Sequence, residues 1–256
     1  MAMLSDEGAM TSAIVPDTKL EATPKNIEVH MLRPNLQDLP EWPVPQGFSL
    51  RRGPNPEDWV AIQRAAEPFL HISMTGEQEG SWAAEFEPGG GNLPAGVDRA
   101  EALGHMFFLV DDANGLAVGT ATAWRTSWHR QYRDMIKNDP SYGSEFEIDA
   151  DGLIHWVAIL PEYQGRGLSK PLLSAVLKSL GSMPGLKTAT LGTGTARSMA
   201  IPLYLKAGFE PMVFSPEERE GWRQLREGAK ESLLTNIPDE RAAAGLHLIA
   251  EKLCTI

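Results

Sequence analysis

Gln164-Gly165-Arg166-Gly167-Leu168-Ser169 is the stretch whose residue types best suit chemistry, and the chemistry is anion binding. Glycines at 165 and 167 leave backbone N–H groups unshielded, and the apolar spacing that follows places them at the start of a helix. A helix N-terminus carries partial positive charge and unpaired N–H donors, so a pyrophosphate is held there by backbone alone, with Arg166 able to add charge. The spacing is neither Gly-x-x-x-x-Gly-Lys-Ser/Thr nor Gly-x-Gly-x-x-Gly, which disfavours a nucleotide-phosphate enzyme of either common type. Upstream, His155 is the best candidate for a base, because an imidazole titrates near pH ~6.5. A hydrogen-bonded structural histidine is the competing reading. The six histidines show no pair with ligand spacing, so no metal site is expected. Cys254 has nothing beside it to lower its pKa, so a nucleophilic role is not expected.

These residues need a strand before them and a helix behind. Leu153 to Leu160 is rich in β-branched and aromatic side chains and reads as a buried strand that Pro161 ends. Period-two alternation places His155 and Val157 on one face of it. Leu168, Leu172, Leu173, Val176, Leu177 and Leu180 recur at helical spacing up to Gly181, with Pro171 in the tolerant first turn. Phe48 to Arg52 reads as a strand, and Asn55-Pro56-Glu57-Asp58 as a capped helix start with Trp59, Ile62 and Ala66 on its inner face. His105 to Val110 and Leu116 to Arg125 form a hairpin around Asp112-Ala113-Asn114-Gly115. In the return strand Gly119, Ala121 and Ala123 alternate with larger residues, which implies close packing on their face. Lys187 to Gly192 and Phe209 to Phe214 read as strands around a short helix, Met199 to Ala207. Leu70 to Leu103 is dominated by Gly and Pro. Ser127 to Asp151 is a loop-like insertion carrying His129 and several acids; it reads either as part of an acceptor mouth or as a solvated acidic loop.

Two segments carry a family resemblance. Gln164-x-x-Gly167-x-Ser169, preceded by Val157-Ala158-Ile159-x-Pro161, resembles the acetyl-CoA-binding motif of the GCN5-related N-acetyltransferase (GNAT) superfamily, with Ser169 where Gly or Ala is usual. Arg197-Ser-Met-Ala200-Ile-Pro-Leu-Tyr204-Leu-Lys-Ala-Gly208-Phe209 is similar to the family's Asn-x-x-Ala-x-x-x-Tyr-x-x-x-Gly-Phe segment, with Arg197 in place of Asn. The resemblance implies an α/β fold with a mixed, mostly antiparallel sheet, splayed central strands and flanking helices.

It also implies roles. Pantetheine would enter the splay and pair with the backbone of Val157, Ala158 and Ile159, whose last N–H would polarise the thioester carbonyl. Gln164, Gly165, Arg166, Gly167, Leu168 and Ser169 would hold the pyrophosphate. Tyr204 falls at the family's acid position, facing the leaving thiolate. A phenol near pKa ~10 is a weaker acid than a thiol near ~8.5, so Tyr204 is expected to act chiefly as a hydrogen-bond donor; a tyrosine packed in the core is the competing reading. His155 lies in a place similar to a strand histidine of arylalkylamine N-acetyltransferases. Leu153 replaces the glutamate common in other members, leaving Asp151 and Glu147 as fallback carboxylates.

The chain has 256 residues, 42% hydrophobic, and a net charge of -11. That charge argues against a nucleic-acid partner. No segment has the length and apolarity of a membrane span, and a lone cysteine suits a reducing compartment, so a cytoplasmic protein is expected. Residues 1–47 read as a leader and a Pro-rich extended arm, 48–214 as the acetyltransferase domain, and 215–256 as a helical C-terminal extension that packs on the core or serves a homodimer contact. The arm's Arg33-Pro34-x-Leu36-x-x-Leu39-Pro40 resembles arms of some bacterial family members. The expected function is transfer of an acetyl group from acetyl-CoA to an amine of a small molecule or protein by direct attack. The alternative is a non-catalytic acyl-CoA-binding or protein-interaction module on the same fold.

Overall fold

A computed structural model describes residues 26–67, 72–75, 80–87, 92–129, 151–234 and 240–254. The strands are β1 (Glu28–Arg33), β2 (Phe48–Arg52), β3 (Met106–Asp111), β4 (Leu116–Arg125), β5 (Asp151–Ile159), β6 (Thr188–Gly194) and β7 (Glu210–Pro211). They form one sheet in the order β2-β3-β4-β5-β6-β1-β7. Every pairing is antiparallel except β5 with β6. The helices are α1 (Pro56–Ala66), α2 (Trp82–Phe86), α3 (Arg99–Leu103), α4 (Ser169–Ser182), α5 (Ile201–Lys206), α6 (Pro216–Leu234) and α7 (Glu240–Lys252).

Local chemistry accounts for most of these elements. Asn55 caps α1 by accepting from the Asp58 N–H at 2.9 Å, with Pro56 in the first turn. α4 buries Leu172, Leu173, Val176, Leu177 and Leu180 against the sheet. Glycines of β4 and β5 admit it: a Cβ at Gly119 would press on Ile159 and Leu172, and one at Gly152 on Leu180. The opposite face carries α1 and an aromatic cluster in which Trp59, Phe86 and Trp124 are fully buried.

Two differences from the sequence reading have physical causes. Glu28–Arg33, read as the beginning of a surface arm, is an interior strand between β6 and β7, with Val29 and Met31 fully buried. Its prolines begin only at Pro34, so nothing in the backbone prevents pairing before it. Phe209 to Phe214 contributes only Glu210–Pro211 to the sheet: after the Met212 N–H donates to the His30 carbonyl at 2.9 Å, the chain turns into α6, where the Glu218 carboxylate takes the Phe214 N–H at 2.6 Å. The C-terminal helices pack on the core: Trp222 is fully buried, and Gly221 lets α6 approach Ile27 and Val29. No helix of the described residues is long and apolar enough to cross a membrane.

Candidate active site

The site begins where two parallel strands separate. β5 and β6 pair only at Asp151↔Thr188, Gly152↔Ala189 and Leu153↔Thr190. Beyond Leu153, β5 continues on β4 alone, while β6 continues on β1. Val157, Ala158 and Ile159 therefore turn one backbone edge toward the opening. Directly after them comes the glycine turn. Gly165 has φ +73 and Gly167 φ +77, and no atom lies within 4 Å of where a Cβ would stand at either. That left-handed backbone suits glycine, and the open space in front of it is the cradle an anion needs. Leu168 precedes α4 with no side-chain cap, so the first-turn amides are not claimed by a cap, and Ser169 is the first helical residue. Gln164 donates its amide N–H to the Ile159 carbonyl at 3.0 Å and ties the turn to the strand end. Arg166 is directed elsewhere: it donates to the Glu162 carbonyl at 2.8 Å and lies 4.6 Å over the Tyr163 ring.

His155 stands on the other side of a strand irregularity. The β4–β5 register slips between Thr120↔Ala158 and Thr122↔His155, and Trp156 takes φ +51. This is a bulge, one extra residue that shifts the side-chain alternation. Thr120 and Thr122 share a face, so Ala158 shares the face of His155 and Val157 does not. The expectation that His155 and Val157 point the same way is thus corrected. Gln63 of α1, itself 1% exposed, donates to the bulged Trp156 carbonyl at 2.9 Å and holds the irregularity in place.

The bulge directs His155 into a polar cluster that the sequence reading missed. Its Nε2 lies 3.3 Å from Glu85 Oε2, and its ring stacks on Trp124 with centroids 5.1 Å apart. His129 approaches edge-on at 4.8 Å. Burial alone would raise the Glu85 carboxyl, but hydrogen bonding and charge from His155, the Asn92 amide and His129 outweigh it and hold the group down at about 2. Burial, then repulsion from His155, pushes His129 down to about 3 despite the attraction of Glu85. Potential ligand atoms of Glu85, His129 and His155 all lie within 4.8 Å of one another, a convergence that linear spacing could not reveal. One signal was available in the sequence. Ser81 caps α2, and Trp82, Glu85 and Phe86 form its buried stripe, so an acid sits where the helix pattern calls for an apolar residue.

Tyr204 lies on α5, 7% exposed, and its hydroxyl makes no hydrogen bond to a described residue. Burial raises it to about 12, with Arg197 lowering and Glu67 raising it. Arg197 grips Glu67 through both carboxylate oxygens, Nε to Oε1 at 3.0 Å and Nη2 to Oε2 at 2.6 Å. That ion pair joins the end of α1 to the segment after β6. Of the fallback carboxylates, Asp151 is buried at the start of β5 and accepts from the Thr188 hydroxyl. Glu147 and most of the Ser127–Asp151 insertion lie outside the described residues, as do most of residues 68–79 of the first loop region.

The acetyltransferase (GNAT) domain family matches residues 103–211, a span from β3 to β7 that includes the splay, the glycine turn and Tyr204. A mycothiol acetyltransferase of Pseudarthrobacter chlorophenolicus is 32% identical over 184 residues, covering 67% of this chain and 45% of the relative. One of Arthrobacter sp. strain FB24 is 29% identical over 181 residues, with the same coverage. The chain thus spans about half the length of the curated relatives it matches. Among solved structures, a GCN5-related N-acetyltransferase from Sphaerobacter thermophilus overlaps 73% of this chain and 49% of its own at 17% identity and a TM-score of 0.45. The family match lies on the elements that form the splay and its glycine turn, so residues 103–211 are the part of the chain that carries the likeness to the GCN5-related N-acetyltransferases.

Proposed function

We propose that the protein transfers an acetyl group from acetyl-CoA to a primary amine by direct attack on the thioester. The observation that carries this reading is the separation of β5 from β6 immediately before an uncapped helix start. An extended acyl-pantetheine would fill the lost strand position, and its pyrophosphate would reach Gly165, Gly167, Leu168 and Ser169. The family match and the relatives' printed activity support it.

When bound, acetyl-CoA supplies an activated carbonyl. The chain supplies positioning and proton handling. The Ile159 N–H would polarise the carbonyl oxygen. As the amine nitrogen bonds the carbonyl carbon and the C–S bond breaks, the amine proton would pass to His155. The departing thiolate would be stabilised by a hydrogen bond from Tyr204. Arg166 would have to leave Tyr163 to touch a phosphate, so the backbone cradle is assigned the main part.

Calorimetry with acetyl-CoA tests the binding half. Micromolar affinity is expected for the native chain, and its loss in a Gly165→Asp/Gly167→Asp variant. Thiol release with a panel of primary amines (an alkylamine, an amino sugar, a lysyl peptide) tests the transfer half. Binding without any transfer would favour an acyl-CoA-binding module instead, and no binding at all would remove both readings.

A further inference from the structure

We propose that Glu85 is the positioning residue for His155: its carboxylate takes the imidazole Nε2–H and leaves Nδ1 as the atom that accepts the amine proton. The inference rests on the acetyl-transfer reading and names which atom of the site does the proton work and what holds it.

Glu85 is an unusual choice for its position. It has no exposed surface and lies on the stripe of α2 that otherwise buries Trp82 and Phe86. A carboxylate removed from water must be neutralised or compensated by donors. The donors are present. Asn92 gives an amide N–H to Oε2 at 2.9 Å, and the Gly80 N–H faces Oε1 at 3.5 Å. Both stabilise the anion. His155 Nε2, 3.3 Å from the same Oε2, therefore faces an acceptor and must carry a proton there. In a neutral imidazole the other nitrogen is then a lone pair, and Nδ1 has no hydrogen-bond partner among the described residues. The ring plane is fixed as well, stacked on Trp124 at an interplanar angle of 25°. A flipped ring would lose the Nε2–H bond to Glu85, so the tautomer and the orientation enforce each other.

During transfer, the amine proton moves to Nδ1 as the N–C bond forms. The resulting imidazolium keeps its Nε2–H on Glu85, whose negative charge offsets it; no proton passes to the carboxylate. Among the described residues, the titratable groups facing His155 are Glu85 from α2 and His129 from the turn after β4. The adjoining faces of α1 and β4 present the uncharged Gln63, Thr122 and Trp124. His129 is held neutral by its burial and does not compete for the charge.

Histidine-selective 15N NMR of the native full chain near pH 7, with His155 assigned by a His155→Gln variant, reads the tautomer directly. The expected spectrum shows Nε2 protonated and Nδ1 bare; a proton on Nδ1 overturns the proposal. In kinetics with the fastest amine of the panel, Glu85→Gln is expected to lower kcat at least 30-fold with KM for acetyl-CoA unchanged within twofold. It should also move the acidic limb of kcat/KM to lower pH, because the imidazolium loses its counter-charge. Glu85→Asp should recover part of the loss. An acidic limb that stays in place overturns the proposal. So does elemental analysis finding one equivalent of zinc in the native protein that Glu85→Gln lacks, because a metal would occupy the imidazole lone pair. If no amine is acetylated, the acetyl-transfer reading fails, and the NMR result still decides the tautomer.

Discussion

Tyr204 can donate a hydrogen bond but is poorly placed to surrender its proton. Burial holds the phenol at about 12. Against a thiol near ~8.5, full transfer to the leaving thiolate would be uphill by about 5 kcal/mol. A hydrogen bond to developing negative charge does not need that transfer, and one such donor is worth on the order of 10²-fold in kcat. Tyr204→Phe should therefore lower kcat by about that factor with little change in KM, and wild-type activity should show no alkaline loss from Tyr204 below about pH 11. An unchanged rate in the variant across pH, followed by thiol release, would remove the role. The neighbouring Arg197–Glu67 pair is partly exposed, 41% on the arginine side chain, so Arg197→Ala should cost less than ~1 kcal/mol of stability by denaturant titration. Its larger effect should fall on Tyr204, whose pKa should rise further when the cation is removed.

Among the elements, the clearest dependence is of the sheet edge on one arginine. Arg33, at the end of β1, is 7% exposed and donates to the Ala207 carbonyl at 2.5 Å and the Gln37 carbonyl at 2.6 Å. It thereby closes α5, the helix carrying Tyr204, and anchors the chain that follows β1. Gly208 gives it room: φ there is +82, and a Cβ would overlap the guanidinium. Gly208→Ala should destabilise by about 1–3 kcal/mol, from backbone strain and displacement of Arg33, read as a lower denaturant midpoint. Gly167→Ala meets no neighbouring atom but has the same kind of φ, so it should cost about 1–2 kcal/mol of stability. It should also weaken acetyl-CoA binding in calorimetry, because its methyl enters the cradle.

For the molecule as a whole, the buried cluster predicts sensitivity to acid. His129, held at about 3, resists protonation when folded and takes a proton readily once unfolded. Its contribution is present above the ordinary histidine range near ~6.5 and is lost as pH falls from there toward 3. Glu85, held at about 2, adds in the same direction: its contribution is present above the ordinary carboxylate range and is lost as pH falls through about 4 toward 2. In both windows the unfolded chain binds more protons, so stability falls with falling pH, at up to ~1.4 kcal/mol per pH unit for each group. Denaturant midpoints measured from pH 7 to pH 4 should decline accordingly. A His129→Phe variant should flatten the part between pH 6 and 4, and a curve of unchanged slope would rule out the neutral buried histidine.

The sequence by itself determined the strand, turn and helix around the glycines, the Asn55 cap, the small face of β4 and the place of Tyr204. Each follows from short-range rules: backbone freedom at glycine, missing donors at proline, and the periods of helix and strand. The pairing of β1 within the sheet was decided by tertiary structure, because Val29 and Met31 serve equally well in an arm or a strand until β6 lies beside them. The bulge at Trp156 was decided there too, since it depends on the register with β4 and on Gln63 from a distant helix. Glu85, His129 and His155 come from three separate segments, and only the packing of α2 on the sheet makes them one cluster. Local spacing cannot encode a meeting of that kind; the lone trace it left was an acid on the apolar stripe of a short helix.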